Sequence, residues 1–364
     1  MMTTIEFIGN FWLFIGIFFL VLVIIGFKTK KNEKFDKTPP ISLIIAAWNE
    51  GPRIKKCINS ILRQNYKNKI EIIVVGGGKD NTTEVCKNLS KERKIKFIHE
   101  KKRMGKWFSL NRGVKVAKNK LLVFFDADCI MSKNWLKKMA LSMKNIDIGM
   151  AYVAPVSEKN FIEKILSVFS IILFYSFKNL TNFFDIGGFF GTGGMVKGGV
   201  FKKIKFKKSL VEDIRVGIDA KKADFKIGTI SDATCYFSVS KNLSGLKKQF
   251  LRWFYGITFE FLSEKNFLSF ILSVSLFSIF VGLPFYMFNL LILNQFTIIT
   301  SFVFLIILFI FVLLLSIKQK TKKYILYIPH LIFLIVFFLI IELEVILRIL
   351  FKKEPRWHTI KKKL

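Results

Sequence analysis

Long apolar runs lie towards both ends of a chain whose middle is strongly basic. Residues 7–27 contain no charged side chain, and two further uncharged runs cover 267–293 and 296–317. Each reaches the roughly 20 residues that a helix needs to cross the hydrocarbon of a bilayer. A single soluble core does not use 42 Phe in 364 residues alongside a net charge of +33. The sequence therefore predicts a basic domain held between membrane segments.

Charge predicts how these segments are arranged. Residues 28–266 contain 47 basic and 21 acidic residues, a net charge of +26, and the basic residues begin directly after the first apolar run. Because cytoplasmic flanks carry the excess of Lys and Arg, we expect the N-terminus outside and the basic domain in the cytoplasm. We predict a membrane helix at 1–27, a cytoplasmic domain at 28–266, a membrane region of two to three spans at 267–351 and a basic tail at 352–364.

Two apolar stretches allow alternative interpretations. If residues 324–351 crossed the membrane once, the basic tail would lie outside, whereas a hairpin or interfacial helix broken near Pro329 would keep it inside. Residues 161–177 are interrupted by Glu163 and Lys164 and predict either an amphipathic helix on the membrane surface or a buried helix.

Other features of composition exclude several classes of protein. The 4 Cys form no CxxC pair and the 3 His are scattered, so neither a disulfide framework nor a zinc site is expected. The absence of a disulfide framework favours the reducing, cytoplasmic side of the cell membrane. Of the 58 basic residues, 49 are Lys, whereas nucleic-acid recognition relies more on Arg and on interleaved aromatic residues. We therefore expect a membrane partner and no nucleic acid.

Short runs rich in Ile and Val recur through the first part of the basic domain, each followed by turn-forming residues and a helical pattern. This alternation predicts an α/β fold with a doubly wound, mostly parallel sheet. Ligands of such sheets bind at the carboxyl ends of the strands. The predicted strands cover 41–46, 71–75, 95–99 and 121–125.

Two carboxylates end the fourth of these runs. Asp126 and Asp128 are one residue apart, so in an extended chain both point to the same side. Paired carboxylates of this kind suit Mg²⁺ or Mn²⁺, which would bridge to phosphate oxygens. The alternative is a pair of turn-forming Asp residues at a strand end.

Two later motifs also have a functional and a structural interpretation. Glu212 and Asp213 precede an amphipathic stretch, where they are either acids favoured by a helix dipole or a source of a general base. Gln249 and Arg252 share one helical face beside Trp253, an arrangement that also suits a membrane-interface Trp with a snorkelling Arg.

Taken in order, these motifs resemble those of the membrane-bound family-2 glycosyltransferases, which include polysaccharide synthases and glycolipid-forming enzymes. The resemblance runs through most of 41–256 and includes the flanking membrane segments. Its specific part combines the Asp pair with the Gly-Thr-Gly-Gly-Met run, the Glu-Asp pair and the QxxRW pattern. The matching residues are Ser42 to Glu50, Glu71 to Val75, Gly105-Lys106, Leu110 to Gly113, Asp126-Ala-Asp128, Gly191 to Met195, Glu212-Asp213 and Gln249 to Trp253.

The resemblance implies a GT-A-type fold and an inverting transfer from a nucleotide-diphosphate sugar, UDP- or GDP-linked, with Mg²⁺ or Mn²⁺ as cofactor. The hexosyl or N-acetylhexosaminyl group would pass to a lipid-linked or glycan acceptor. Asp213 would be the catalytic base, and Asp128 would hold the metal. The donor would contact Asn49, Glu50, Gly77, Lys106 and Asp126, while Glu212, Gln249, Arg252 and Trp253 would border the diphosphate and the acceptor.

The chain departs from the family pattern at several positions. Ala46 and Trp48 stand where Pro and Tyr are usual, Trp107 replaces a small residue, and Gly76 and Gly77 occupy positions where an acid commonly contacts the base. We expect transfer to a lipid or polyprenyl-linked acceptor at the cytoplasmic face. A processive polysaccharide synthase is the alternative, and a non-catalytic nucleotide-sugar-binding protein a further one.

Overall fold

The computed structural model describes residues 35–183, 191–240, 242–263 and 323–351, with shorter pieces at 25, 309–310, 312–314, 316–317, 353 and 362–363. All of the predicted membrane run at 267–293 and most of those at 7–27 and 296–317 therefore lie outside the described residues. Within the described part of the chain, no helix combines the length and the apolar character needed to span a bilayer.

The chain divides into two compact units. The first, called the sheet unit, comprises Lys30–Val156, Leu180–Val239 and Lys362–Leu364. The second, called the helical unit, comprises Met1–Thr29, Ser157–Asn179 and Ser240–Lys361.

Strands and helices alternate through the first half of the sheet unit. In chain order the elements are β1 (Ile41–Trp48), α1 (Gly51–Leu62), β2 (Ile70–Gly77), α2 (Thr82–Lys91), β3 (Lys96–His99), α3 (Lys106–Val116) and β4 (Leu121–Phe124). All four predicted strands are confirmed. The strands β1, β2 and β4 are buried on both faces, as expected of parallel strands covered by helices.

The second half of the sheet unit is mixed. In the sheet order β3-β2-β1-β4-β7-β6-β8-β5, the strand β7 runs antiparallel to β4 and β6, and β5 runs antiparallel to β8. The later elements are β5 (Cys129–Met131), α4 (Trp135–Leu141), β6 (Ile148–Pro155), α5 (Phe161–Phe183), β7 (Gly194–Lys197), α6 (Val200–Lys203), α7 (Glu212–Lys222) and β8 (Ile227–Phe237).

The predicted parallel pairing is thus correct for β1–β4 and for β6 with β8, whereas β7 and β5 pair antiparallel with their neighbours. Strands β5 and β7 have 3 and 4 residues, too few to show a periodic pattern in the sequence. A further two-stranded sheet joins Val239–Ser240 to Lys362–Lys363.

Alternate side chains of β1 enter two separate cores. Leu43 and Ile45 pack with Ile58 of α1 on one face, whereas Ile44 packs with Leu110 of α3 on the other. All of these side chains are fully buried or nearly so. Because helices cover both faces of the sheet, a ligand would bind at the carboxyl ends of the parallel strands, here called the carboxyl edge.

The helical unit is built from α5, α8 (Leu243–Ser263) and α9 (Ile328–Leu350), the last preceded by a 3₁₀ turn at Ile325–Tyr327. Ile165 and Ile171 of α5 are completely buried, which favours the buried-helix interpretation of this stretch. Pro329 stands in the first turn of α9, where it interrupts no helical hydrogen bond. The change from the 3₁₀ turn to the α-helix therefore falls beside Pro329, and the α-helix continues to Leu350.

Candidate active site

Two carboxylates meet directly after β4. Asp128 is buried and Asp126 is half-buried, and together with the Cys129 thiol they offer ligand atoms within 4.8 Å of one another. The Cys129 Sγ donates to Asp128 Oδ1 at 3.5 Å, and the Ser238 hydroxyl donates to the Asp128 carbonyl at 2.5 Å. Carboxylate oxygens at this spacing fit a hard divalent cation such as Mg²⁺ or Mn²⁺.

Lys106, the first residue of α3, joins these carboxylates to the start of α7. Its Nζ lies 2.8 Å from Asp126 Oδ1 and 3.3 Å from Glu212 Oε1. Burial lowers the pKa of Lys106, but the negative charges of Asp126, Glu212 and Asp213 outweigh it and raise that pKa above its ordinary value. The ammonium group therefore stays charged at neutral pH.

Asp213 lies in the first turn of α7, beside Glu212. Its Oδ2 accepts the backbone N–H of Gly191 at 2.8 Å, and its Oδ1 accepts the N–H of Ile214 at 3.0 Å. A Cβ atom on Gly191 would lie 3.2 Å from this carboxylate, so the glycine permits the close approach. These contacts fix the orientation of the Asp213 carboxylate at a helix N-terminus, where negative charge is favoured.

The ends of β1 and β2 also come together. The Asn49 N–H donates to the Gly77 carbonyl at 3.1 Å, and the Asn49 side-chain oxygen accepts the Lys79 N–H at 2.8 Å. Asn49 has a φ of 60°, a left-handed conformation that Asn tolerates better than most residues. The structure therefore places Asn49 and Gly77 side by side at the carboxyl edge of the sheet.

Glu50 is engaged at the start of α1. Its Oε2 lies 2.6 Å from Arg53 Nε, and its backbone N–H donates to the Thr82 hydroxyl at 2.7 Å. The neighbouring carboxylate of Asp80 accepts the Thr82 hydroxyl at 2.5 Å and the Gly51 N–H at 3.1 Å. Burial alone raises the pKa of Asp80, but the hydrogen bonds from Thr82 and Gly51 prevail and lower it.

Sequence reasoning missed three polar residues of this edge: Asp80, Glu100 and Thr192. Glu100 follows β3 and is buried, with the Ser109 hydroxyl donating to it at 2.8 Å and Arg112 at 3.3 Å. The Thr192 hydroxyl donates to Asp126 Oδ2. The position of Asp80 and Glu100 just after β2 and β3 was a usable signal, and so was the place of Thr192 inside the Gly-Thr-Gly-Gly-Met run.

The third predicted motif lies on α8 of the helical unit. Gln249 is buried, and its Oε1 has no hydrogen-bond partner among the described residues. The Trp253 ring stacks on Phe169 with centroids 6.4 Å apart and meets Phe250 edge-on at 5.4 Å. Arg252 is half-buried beside it. The structure thus groups Lys106, Asp126, Asp128, Glu212 and Asp213 within the sheet unit, while the α8 residues belong to the other unit.

Comparison with known proteins places this sheet unit in a class. Residues 42–205 match the family described as glycosyl transferase family 2. Over this range the chain is similar to family-2 glycosyltransferase domains, which agrees with the predicted enzyme class. The mixed α/β sheet is of the GT-A type, as predicted.

Particular relatives agree with this class. The glycosyltransferase AglE of Haloferax volcanii is 32% identical over 103 residues, which are 28% of this chain and 34% of that protein. The poly-beta-1,6-N-acetyl-D-glucosamine synthase of Staphylococcus epidermidis is 25% identical over 266 residues, 68% of this chain and 65% of the synthase. The chain thus spans about a third to two thirds of the length of these relatives.

A solved structure shares the fold. The mannosyltransferase PcManGT from Pyrobaculum calidifontis, solved in complex with GDP-Man and Mn²⁺, superposes with a TM-score of 0.63 at 15% identity. The superposition covers 96% of this chain and 100% of that one. At this identity the similarity establishes the fold alone.

Proposed function

We propose that this chain transfers a sugar, with inversion, from a nucleotide-diphosphate donor to a membrane-associated acceptor. The observation that carries the proposal is the linkage of Asp126 and Glu212 by the Lys106 ammonium, with Asp213 fixed one residue further along α7. This arrangement provides an oriented carboxylate beside a cationic group, which is what displacement of a diphosphate from a sugar requires.

Asp213 acts as the general base in the proposed reaction. Its carboxylate takes the proton of the acceptor hydroxyl as that oxygen bonds to the anomeric carbon and the bond to the diphosphate oxygen breaks. Because one displacement occurs at the carbon, its configuration inverts. Lys106 offsets the negative charge that develops on the leaving diphosphate, where electrostatic stabilisation is most effective.

Asp128, assisted by Asp126, would hold a Mg²⁺ or Mn²⁺ ion. When bound, such a cation would neutralise charge on the diphosphate. The carboxylate donor set supports this assignment, and so does the Mn²⁺ in the complex of the mannosyltransferase that shares the fold.

The donor is proposed to lie along the carboxyl ends of β1 and β2. Asn49, Glu50 and Gly77 lie at these strand ends, and β1 also pairs with β4, the strand that the Asp pair follows. Gly77 carries no side chain to select a base, so a UDP- or GDP-linked sugar is proposed. The mannosyltransferase that shares the fold was solved with GDP-Man, which supports the GDP-linked choice.

The acceptor is proposed to be lipid-linked, at the cytoplasmic face of the cell membrane. Gln249, Arg252 and Trp253 would border it, and the buried Gln249 Oε1, unpartnered among the described residues, supports a polar contact there. The uncharged runs at 7–27, 267–293 and 296–317 support the membrane location. The relationship to a polysaccharide synthase over 68% of the chain favours processive polymer synthesis as the second candidate.

Asp213→Asn tests the base assignment because it keeps the shape of the side chain and removes its basicity. We expect sugar transfer to fall by about a thousandfold, while binding of the donor stays measurable. Asp224→Asn is the matched control, since Asp224 is exposed and its left-handed backbone suits Asn. Transfer at the wild-type rate by Asp213→Asn would contradict the base assignment.

A further inference from the structure

Thr192 contacts the carboxylate pair from the Gly-Thr-Gly-Gly-Met run, in which the sequence analysis gave the Thr no role of its own. It lies in the 191–193 segment, which precedes β7. Its hydroxyl donates to Asp126 Oδ2, and the Cys129 Sγ lies 3.9 Å from the same hydroxyl. The other Asp126 oxygen, Oδ1, faces Lys106 at 2.8 Å. Each oxygen of Asp126 therefore has its own partner.

The 191–193 segment is held by contacts outside the site. Gly193 has a φ of 75°, which favours glycine, and a Cβ there would lie 2.6 Å from the Cys235 Sγ. Its carbonyl accepts the Ala151 N–H at 3.1 Å, and the next residue, Gly194, pairs with Phe124 of β4. The backbone that carries Thr192 is thus anchored in the sheet rather than by the site.

The same segment also reaches the proposed base. Gly191 donates its N–H to Asp213 Oδ2 at 2.8 Å, one residue before Thr192. Gly191 therefore orients the Asp213 carboxylate, which is proposed to act on the acceptor. Its neighbour Thr192 orients the Asp126 carboxylate, which is proposed to contact the donor. A shift of this backbone would move both carboxylates together.

We propose that Thr192 is a positioning residue, whose hydroxyl fixes the Asp126 carboxylate in the orientation that receives a divalent cation and the donor diphosphate. The inference rests on the proposed function. Groups that orient a metal-binding carboxylate typically change metal affinity by 10- to 100-fold when removed. Neither the Asp pair nor the glycine-rich run by itself assigns this role to Thr192.

The test compares Thr192→Val, which keeps the shape and loses the hydroxyl, with Thr192→Ser, which keeps the hydroxyl. Binding of Mn²⁺ to the full-length chain is followed by the paramagnetic resonance signal of the free ion, in the presence of GDP or of UDP. We expect Thr192→Val to weaken Mn²⁺ binding about tenfold and Thr192→Ser to bind within about twofold of wild type. Thr83→Val, at a half-buried position on α2, is the matched control and should bind as wild type does.

Equal binding by Thr192→Val and wild type would overturn the inference and leave the proposed function intact. Equally weak binding by Thr192→Ser would also overturn it, because packing rather than the hydroxyl would then be responsible. If Thr192→Val does not fold, Thr192→Ala replaces it and the comparison with Thr192→Ser is unchanged. A wild-type chain that binds no Mn²⁺ with either nucleotide would overturn both the inference and the metal assignment of the proposed function.

Discussion

Lys106 contacts two acidic residues that come from different parts of the chain, Asp126 and Glu212. Asp126 follows β4, and Glu212 begins α7, yet both contact the ammonium group that begins α3. Glu212 is almost fully buried, at 4% exposure. A buried carboxylate that loses its cation keeps its desolvation cost without the compensating attraction. The Lys106 side chain is therefore expected to contribute to stability as well as to chemistry.

Lys106→Met should lower the free energy of unfolding by about 3 kcal/mol, because it removes an ammonium group that contacts the buried Glu212 carboxylate. The double variant Lys106→Met/Glu212→Gln should recover part of that loss, since the buried negative charge is then removed. Denaturant unfolding of the purified chain measures both. Lys87→Met, at an exposed site on α2, is the control and should have little effect. Equal destabilisation by the single and double variants would show that charge is not the cause.

The candidate site residues were predictable to different degrees. Asp126 and Asp128 are recognisable because they end an apolar run, and the spacing alone places them on one side of an extended chain. The partner of Asp126 at Thr192 was not predictable, because 66 residues separate the two in sequence and only the pairing of β4 with β7 brings them together. Glu212 was expected beside the diphosphate and acceptor, and its carboxylate lies 3.3 Å from Lys106, which was expected at the donor.

The parallel half of the sheet depends on close backbone contact between β1 and β2. A Cβ atom on Gly76 would lie 1.7 Å from the Ala47 carbonyl oxygen, and the two residues are direct partners in the pairing of β1 with β2. A side chain at this position would force the strands apart. The glycine that replaces the acid usual in the family is thus required by packing in this chain.

Gly76→Ala should therefore destabilise the sheet unit by about 3 kcal/mol and reduce donor binding along the β1 and β2 edge. Thermal unfolding and donor titration of the purified chain measure the two effects. Gly199→Ala is the matched control, because no atom lies within 4 Å of a Cβ built there. If Gly76→Ala is as stable as Gly199→Ala, the proposed close contact does not limit the fold.

Across the chain as a whole, charged residues and long apolar runs lie in separate segments. The +26 of residues 28–266 belongs to a region proposed to lie at an anionic membrane surface, where each nearby Lys or Arg contributes about 1 kcal/mol. Only Lys106 and Arg252 of the basic residues have a proposed role in the chemistry. Most of the positive charge is therefore proposed to hold the protein at the membrane surface rather than to take part in the reaction.

Membranes that contain the chain, supplied with radiolabelled UDP- and GDP-linked sugars, should place label in material that dissolves in organic solvent. The reason is that a lipid-linked acceptor needs only an interfacial site, whereas polymer export needs a polar conduit through the bilayer. Membranes with Asp213→Asn provide the control and should incorporate little label. Label found only in polymer would contradict the lipid acceptor and favour the polysaccharide synthase.

The sequence by itself determined the strands β1–β4, the carboxylate pair, the Glu-Asp pair and the family resemblance, because each depends on residues close together in the chain. Tertiary structure alone decided the antiparallel pairing of β5 and β7, the Lys106 contacts and the place of Thr192. Those features join residues that are far apart in sequence, and short strands such as β7 have no periodic pattern to reveal them. The pairing of β4 with β7 brings Thr192 to Asp126, and Lys106 joins Asp126 to Glu212.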